Sequence, residues 1–534
     1  MPLVVVLLGL IFAFHLGGAW LGKSLYRASH LGTALEYAHG SINLLRPVIV
    51  GFNATGTPTA LELPVWQAAA ALAFKLARST WYGWANLVSL LLFATCLWPF
   101  FQLARQYVGR RAAGWATAFF LAEPLIVIMA GEAGTDGLCL AATLWFIFFA
   151  DKMMRAGNAW WWWPATLFAV LSALLKLPLF FAAGLFTLCL PLANGLGAWR
   201  PWALLAGAGA VAAAAFVLWT RHANSLAAQA LYPYTELRLS QSPWLVHWFF
   251  GDWHYRLSPG PWLKGGWRFL HATMGPLPMS VLLVLALVRP GNPLPKLWLL
   301  AALPTTLLFT HVVLEHWHFY LMCAPPVALL CGATLARWEN YWAQEMPLPA
   351  LRTALAGAVL ISSALEGVIT MKVAGDQVLI ERWRSSRRLD GVITSKATGD
   401  HDYFPQQMSA QIVRHTNPGD RLLVYCCDPI WGGEVLFRSE RKGLCVPILQ
   451  GEPNGCTPKG LFDLLTNQTD LNLLKSLGYN KLVLISESPV RYAVLGSNPG
   501  SQRMRARYPD KLPATAEAWP EVCRTEDILI KKIP

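Results

Sequence analysis

For its first two thirds the chain alternates long apolar runs with short polar breaks, and then the pattern changes. A bilayer hydrocarbon core of about 30 Å takes roughly 20 residues of helix. Eleven runs approach that length: 2–21, 83–104, 112–130, 137–150, 159–175, 177–194, 200–220, 273–288, 296–313, 319–336 and 351–371. The first lacks a small-residue cleavage site and runs straight into Lys23, which reads as an uncleaved anchor. Two breaks, 22–82 and 221–272, are long enough to be loops with structure of their own, and 65–78 inside the first is amphipathic and predicted to lie along the membrane surface. Past residue 373 the apolar runs shorten to strand length at 421–426, 444–449, 481–486 and 527–533. Helical stretches at 405–415, 458–465 and 469–477 fall between them, the first stopped by Asn417-Pro418-Gly419. Alternating strands and helices predict a small, mostly parallel sheet. The expected architecture is a polytopic α-helical membrane protein of about eleven spans, residues 1–373, with a C-terminal soluble α/β domain, residues 374–534.

Composition agrees. Of 534 residues 55% are hydrophobic and only 14% charged, where soluble domains carry about a quarter. Twelve of the 30 acidic residues lie in residues 1–373 and 18 in the shorter tail. The net charge of +13 does not point to nucleic acid, because the basic residues of the apolar part sit in short breaks, where orientation and anionic lipid account for them. An N-terminus in the cytoplasm puts Arg105, Arg110, Arg111, Lys152, Arg155, Arg200, Arg289, Lys296, Arg337 and Arg352 on the cytoplasmic side. It puts both long loops, the turn at 131–136, Lys176, 311–318 and the tail outside. Trp160 to Trp163, followed by Pro164, reads as an interfacial aromatic belt. The ten Cys show no C-x-x-C or Cys/His metal spacing. Five lie in apolar segments and five in the tail, where an outer location permits a disulfide such as Cys427 with Cys445. The tail has no G-x-G-x-x-G and no P-loop, so nucleotide binding has no support.

Ionisable groups at a span end are expensive and therefore invite functional readings. Asp136, in Gly-Glu-Ala-Gly-Thr-Asp-Gly, opens the fourth run one turn after Glu132. It is read either as a helix cap or as a site carboxylate. Glu62, in Leu-Glu-Leu-Pro-Val-Trp, either neutralises a loop Arg or serves the site. Lys176, in Leu-Leu-Lys-Leu-Pro, either snorkels to the interface or meets a phosphate. The segment from His311 to Tyr320 holds three His and Glu315. It lacks H-E-x-x-H, and hydrogen bonding to an anionic group is preferred over a metal.

These elements come in a recognisable order. A first span is followed by an outer loop with a Glu-hydrophobic-Pro element and by Tyr107-Val-Gly-Arg-Arg-Ala-Ala. An outer Asp opening a span, Leu-Leu-Lys-x-Pro, and His-x-Phe-Tyr with Pro325-Pro326 complete it. The arrangement resembles the GT-C membrane glycosyltransferases of the protein O-mannosyltransferase type, the group that includes aminoarabinose and galacturonosyl transferases. The resemblance implies transfer of a hexosyl or pentosyl group, with inversion, from a polyprenyl-phosphate-linked donor. The acceptor, a glycan, lipid or protein, lies on the outer face of the bacterial inner membrane. It also implies membrane lipid as a partner, leaves room for a divalent cation, and puts Arg27, Lys176, His316, His318 and Tyr320 at the donor phosphate and cavity. Asp136, Glu62 and His30 become the catalytic candidates. The chain departs from the family at one point: Arg27-Ala-Ser-His30 stands where the family carries Arg-x-x-Asp, whose Asp is the base, and no Asp precedes Asp136. Either His30 or Glu36 does the base work, or the chain is a non-catalytic relative that binds a lipid-linked glycan or serves as a complex subunit. A transporter is the remaining reading, but neither internal repeats nor polar midplane interruptions favour it.

Overall fold

The computed structural model describes residues 7–11, 25–48, 62–193, 199–229, 243–274 and 278–345, with further stretches inside 354–362, 408–447, 472–485 and 520–533. The chain divides into two compact units. One comprises Leu21–Trp81, His222–Trp244 and Ala374–Pro534; the other comprises Met1–Trp20, Tyr82–Arg221 and Leu245–Val373.

In the first of these, helix α1 (Leu25–His39) packs on α2 (Val65–Ala77). The amphipathic pattern of 65–78 is realised in α2, which buries Trp66, Ala70, Ala71 and Phe74 and leaves Leu72 and Leu76 exposed. Lys75 Nζ reaches across to donate to the Gly40 carbonyl at 2.7 Å. The tail contributes a five-stranded sheet: β1 (Arg421–Cys426), β2 (Lys442–Pro447), β3 (Tyr479–Ile485), β4 (Glu521–Arg524) and β5 (Ile528–Lys532), in the order β2-β1-β3-β5-β4. Leu422, Leu423, Val424, Leu482, Val483 and Ile530 are fully buried, as expected of strands covered on both faces.

The predicted strands are present, with two corrections. The sheet is mixed, since β1 pairs in parallel with β2 and β3, whereas β5 runs antiparallel to both β3 and β4. Only residues 525–527 separate β4 from β5, and so short a connection closes a hairpin but cannot make a parallel crossover. Strand β4 escaped notice because Glu-Val-Cys-Arg is short and charged at both ends. Cys427 and residues 458–465 lie outside the described residues.

The other unit is helical: α3 (Tyr82–Ala94), α4 (Leu97–Val108), α5 (Arg110–Ala122), α6 (Pro124–Met129), α7 (Asp136–Ala156), α8 (Trp162–Leu175), α9 (Leu177–Ala193), α10 (Trp199–Gln229, of which it holds the part up to Arg221), α11 (Pro243–Phe250, of which it holds the part from Leu245), α12 (Trp253–Leu257), α13 (Pro259–Phe269), α14 (Pro278–Val288), α15 (Leu294–Leu308), α16 (Thr310–Glu315) and α17 (Ala324–Glu345). Among the described residues three runs, Tyr82–Val108, Asp136–Ala156 and Trp199–Leu226, are long and apolar enough to cross a membrane, and five shorter apolar helices accompany them. Apolar length alone had suggested eleven spans, and it does not register where a helix breaks. Run 112–130 splits at Glu123, whose ψ of 132° takes the chain out of the helix just before Pro124. Run 296–313 stops at Phe309, and 319–336 opens as the 3-10 turn Trp317–Met322 ahead of α17. Runs 2–21 and 351–371 lie mostly outside the described residues.

In this unit α5 and α17 make the most extensive helix contact, and small residues allow it. A Cβ on Gly332 would lie 2.4 Å from the Ala116 backbone nitrogen and 2.8 Å from the Ala112 carbonyl oxygen. Backbone meets backbone there, so nothing flexible can give way. Gly332→Ala should therefore lower the thermal unfolding midpoint in detergent, at a cost on the order of 1–3 kcal/mol. Gly184→Ala, where the added Cβ meets nothing within 4 Å, should leave the midpoint unchanged or raise it.

Candidate active site

In the helical unit the polar groups of the proposed outer side gather where helices start, stop or break. Asp136 is the first residue of α7, and Thr135 before it makes no side-chain cap. The Asp136 carboxylate does not cap the helix either, because it is taken by Lys176, whose Nζ donates to Oδ1 at 2.5 Å. Lys176 sits at the break between α8 and α9 in extended conformation (φ −153°, ψ 101°), and Pro178 two residues on removes the N–H that a continuous helix would need. The break turns the ammonium inward. Both residues are only 7% exposed, so Lys176 does not snorkel. Its Nζ also lies 5.2 Å from the centroid of the Phe319 ring, a cation–π distance.

Phe319 links this pair to the histidines. His318 packs on Phe319 with centroids 4.4 Å apart, and His316 stacks beside His318 at 5.7 Å. Burial, and after it the positive charges of Arg268 and His311, holds His316 down at about 4. Burial and the Lys176 cation push His318 well below the ordinary imidazole range. Both rings are therefore neutral near pH 7, and a neutral imidazole offers one N–H donor.

Glu315 organises the next shell. Its carboxylate accepts from Lys264 at 2.8 Å, from Arg268 at 2.9 Å and from the Tyr255 hydroxyl at 2.7 Å. Burial alone would raise this carboxyl, but the three donors outweigh it and hold it at about 2. Arg268, 4% exposed, also donates to the Leu314 carbonyl. Tyr320 donates its hydroxyl to the Gly265 carbonyl at 2.9 Å. A Cβ on Gly265 would strike Leu314 at 2.4 Å, so the glycine lets α13 approach this closely.

The second group lies in the unit that contains α1 and α2. His30, 3% exposed, places Nε2 3.0 Å from Glu62 Oε1 and accepts at Nδ1 from the Gln67 amide at 2.5 Å. Its ring packs edge-on against Trp66. His30 and the Glu62 carboxylate therefore stand side by side within ion-pair reach. Arg27 lies on α1 but its side chain is outside the described residues, and Glu36 is half-buried on the same helix.

The structure thus brings Asp136, Lys176, His316 and His318 into one neighbourhood through Phe319, commits Tyr320 to the α13 backbone, and joins Glu62 to His30. Sequence reasoning missed Arg268, Lys264 and Tyr255. The available signal was Lys264 and Arg268 four residues apart on one face of a short helix rich in Gly and Trp. Among the described residues no group of three or more His, Cys, Asp and Glu could hold a metal ion. Asp136 pairs with Lys176, and Glu315 with Lys264 and Arg268.

Two outcomes follow from this geometry. Glu315→Gln strands the buried Arg268 cation and should cost about 3 kcal/mol of stability, whereas Lys264→Gln, at an exposed cation, should cost under about 1 kcal/mol; detergent unfolding curves compare them. As pH falls below 6.5 the unfolded chain protonates His316 while the folded chain resists until about 4. Stability from this residue is therefore present at neutral pH and lost between those values, and His316→Gln should flatten that part of the pH–stability curve.

No protein-family model matches the chain, and no curated protein matches it. Solved structures do. The crystal structure of ArnT from Cupriavidus metallidurans in the apo state superposes with a TM-score of 0.54 at 15% identity, covering 98% of this chain and 97% of that one. The same protein bound to undecaprenyl phosphate gives 0.52 at 13% identity with the same coverage. The likeness runs through both units, and the chain has the GT-C fold that its ordered motifs resemble.

Proposed function

We propose that the protein is a glycosyltransferase that moves a sugar from a polyprenyl-phosphate donor to an acceptor on the outer face of the bacterial inner membrane. Residues 1–373 form the membrane part, with the N-terminus cytoplasmic, and residues 374–534 are periplasmic. The observation that carries this reading is the buried Lys176 cation, held by Asp136 and flanked through Phe319 by two neutral imidazoles. A lipid phosphate needs such a group: a fixed cation for its charge and N–H donors for its oxygens. The structure of ArnT with undecaprenyl phosphate supports a lipid-phosphate donor on this fold.

In the transfer, an acceptor oxygen attacks the anomeric carbon and the bond from that carbon to the phosphate oxygen breaks. Polyprenyl phosphate leaves and the acceptor proton passes to a carboxylate. Lys176, His316 and His318 stabilise the charge that gathers on the departing phosphate. Asp136 keeps Lys176 in place. The proton goes to Asp136 or to Glu62, and His30 acts beside Glu62, within ion-pair reach of it. That engagement of His30, where the family carries a base, also favours a second reading, a non-catalytic relative that binds the lipid-linked glycan.

The test is release of polyprenyl phosphate when the purified protein meets a panel of polyprenyl-phosphate sugars with crude envelope acceptors. Release is expected, and Lys176→Gln should lower kcat/KM on the order of a hundredfold. Asp136→Asn and Glu62→Gln identify the base: loss of kcat marks it, and a raised donor KM with kcat retained marks a positioning role. Lipid binding without release from any donor would establish the non-catalytic reading.

A further inference from the structure

At the far end of α7 from Asp136 the helical unit carries a second polar construction that the transfer reaction does not use. Asp151, 15 residues and therefore about 22 Å along the helix, accepts from the Tyr107 hydroxyl at 3.1 Å and pairs with Arg155 at 2.9 Å. Tyr107 in turn lines a cavity of about 350 Å³ bounded by the α4–α5 junction, the α14–α15 junction and α17. Five cations surround it: Arg110, Arg111, Arg289, Lys296 and Arg337. Glu339 neutralises one of them, pairing with Arg111 at 2.9 Å and accepting from Trp115 at 2.8 Å.

The remaining four have no carboxylate partner among the described residues. Lys296 donates to the Leu287 and Arg289 carbonyls and Arg337 to the Pro290 carbonyl; these contacts fix the side chains without cancelling their charge. The floor is apolar, built by Ala286, Leu330, Ala333 and Ala336. A dispersed excess of basic loop residues needs no cavity, whereas here the charges converge on one. A water takes about 30 Å³ of liquid volume, so the space accommodates on the order of ten heavy atoms rather than a lone ion.

We propose that this cavity binds the phosphate headgroup of an anionic phospholipid. The four uncompensated cations meet the phosphate, and the alanine and leucine floor takes the first methylenes behind it. A free anion would satisfy the cations but leave the floor wetted. The cavity lies at the ends of apolar helices, where a bilayer headgroup is within reach and a soluble ligand has no advantage.

The test uses the full-chain protein in zwitterionic detergent, titrated with phosphatidylglycerol, phosphatidylcholine or inorganic phosphate, with bound lipid read by native mass spectrometry and stabilisation by thermal unfolding. Phosphatidylglycerol should bind and stabilise and the other two should not. Removing two cations near an anionic headgroup should weaken apparent affinity by about tenfold or more, so Arg289→Gln with Arg337→Gln should show that loss. Arg110→Gln makes no bond that the fold needs and should lose about fivefold on its own, which keeps the test open if the double variant fails to fold. Arg105→Gln with Arg200→Gln, an equal charge change at exposed sites outside the cavity, should bind as wild type. Equal binding of phosphatidylcholine, an equal loss in the Arg105/Arg200 pair, or stabilisation by inorganic phosphate at the same concentration would each overturn the proposal.

Discussion

A charge that cannot reach water must find its counter-charge inside the chain, and the helical unit is arranged around that requirement. Transferring an ion into a low-dielectric interior costs several kcal/mol even after relaxation. Lys176 and Asp136, each 7% exposed, answer it with a contact at 2.5 Å. For that contact α7 has to begin at Asp136, and the α8–α9 path has to break at Lys176 so that its side chain turns inward. A pair of this kind adds little net stability, but losing one partner leaves the other buried and uncompensated. Two helix termini are thereby held to one another, and a phosphate ligand that competes for Lys176 meets a cation already in place.

Around that pair the backbone is irregular wherever polar side chains have to converge. The π-helical turn Leu270–Met274 follows α13, and the 3-10 turn Trp317–Met322 separates α16 from α17. A straight helix presents neighbouring residues about 100° apart around its axis, and the break lets His316, His318 and Phe319 serve one neighbourhood while Glu315 serves another. Glycine at 265 brings α13 close enough for Tyr320 and Arg268 to tie the break down. Between α5 and α17 the helices stay regular and small residues set their separation, with Glu339 of α17 holding Arg111 and Trp115 of α5.

Much of this was legible in the amino-acid order, and the parts that were not share a cause. Apolar period and length foretold the helices, because a helix in lipid must satisfy its own backbone. The same reasoning put strands at β1, β2, β3 and β5, each of which holds at least three consecutive apolar residues. It passed over β4, which is held by its neighbour in the sheet and not by its own composition. It also treated 112–130 and 296–313 as single spans, since a hydropathy sum does not register the local dihedral consequence of Pro124 or of Phe309.

The sequence by itself determined which residues carry charge in an apolar setting, and hence that Asp136, Lys176 and Glu62 required an explanation; burial cost depends on residue type and surroundings that composition already reveals. What each charge meets was decided by tertiary structure alone. Lys176 finds a carboxylate 40 positions away, His30 meets Gln67 37 positions on and has Glu62 within ion-pair reach, and Arg268 draws Glu315 into a network across 47. Partners at such separations are chosen by helix packing and loop closure. No local pattern encodes them, because the free energy that selects each pair exists only after the helices have come together.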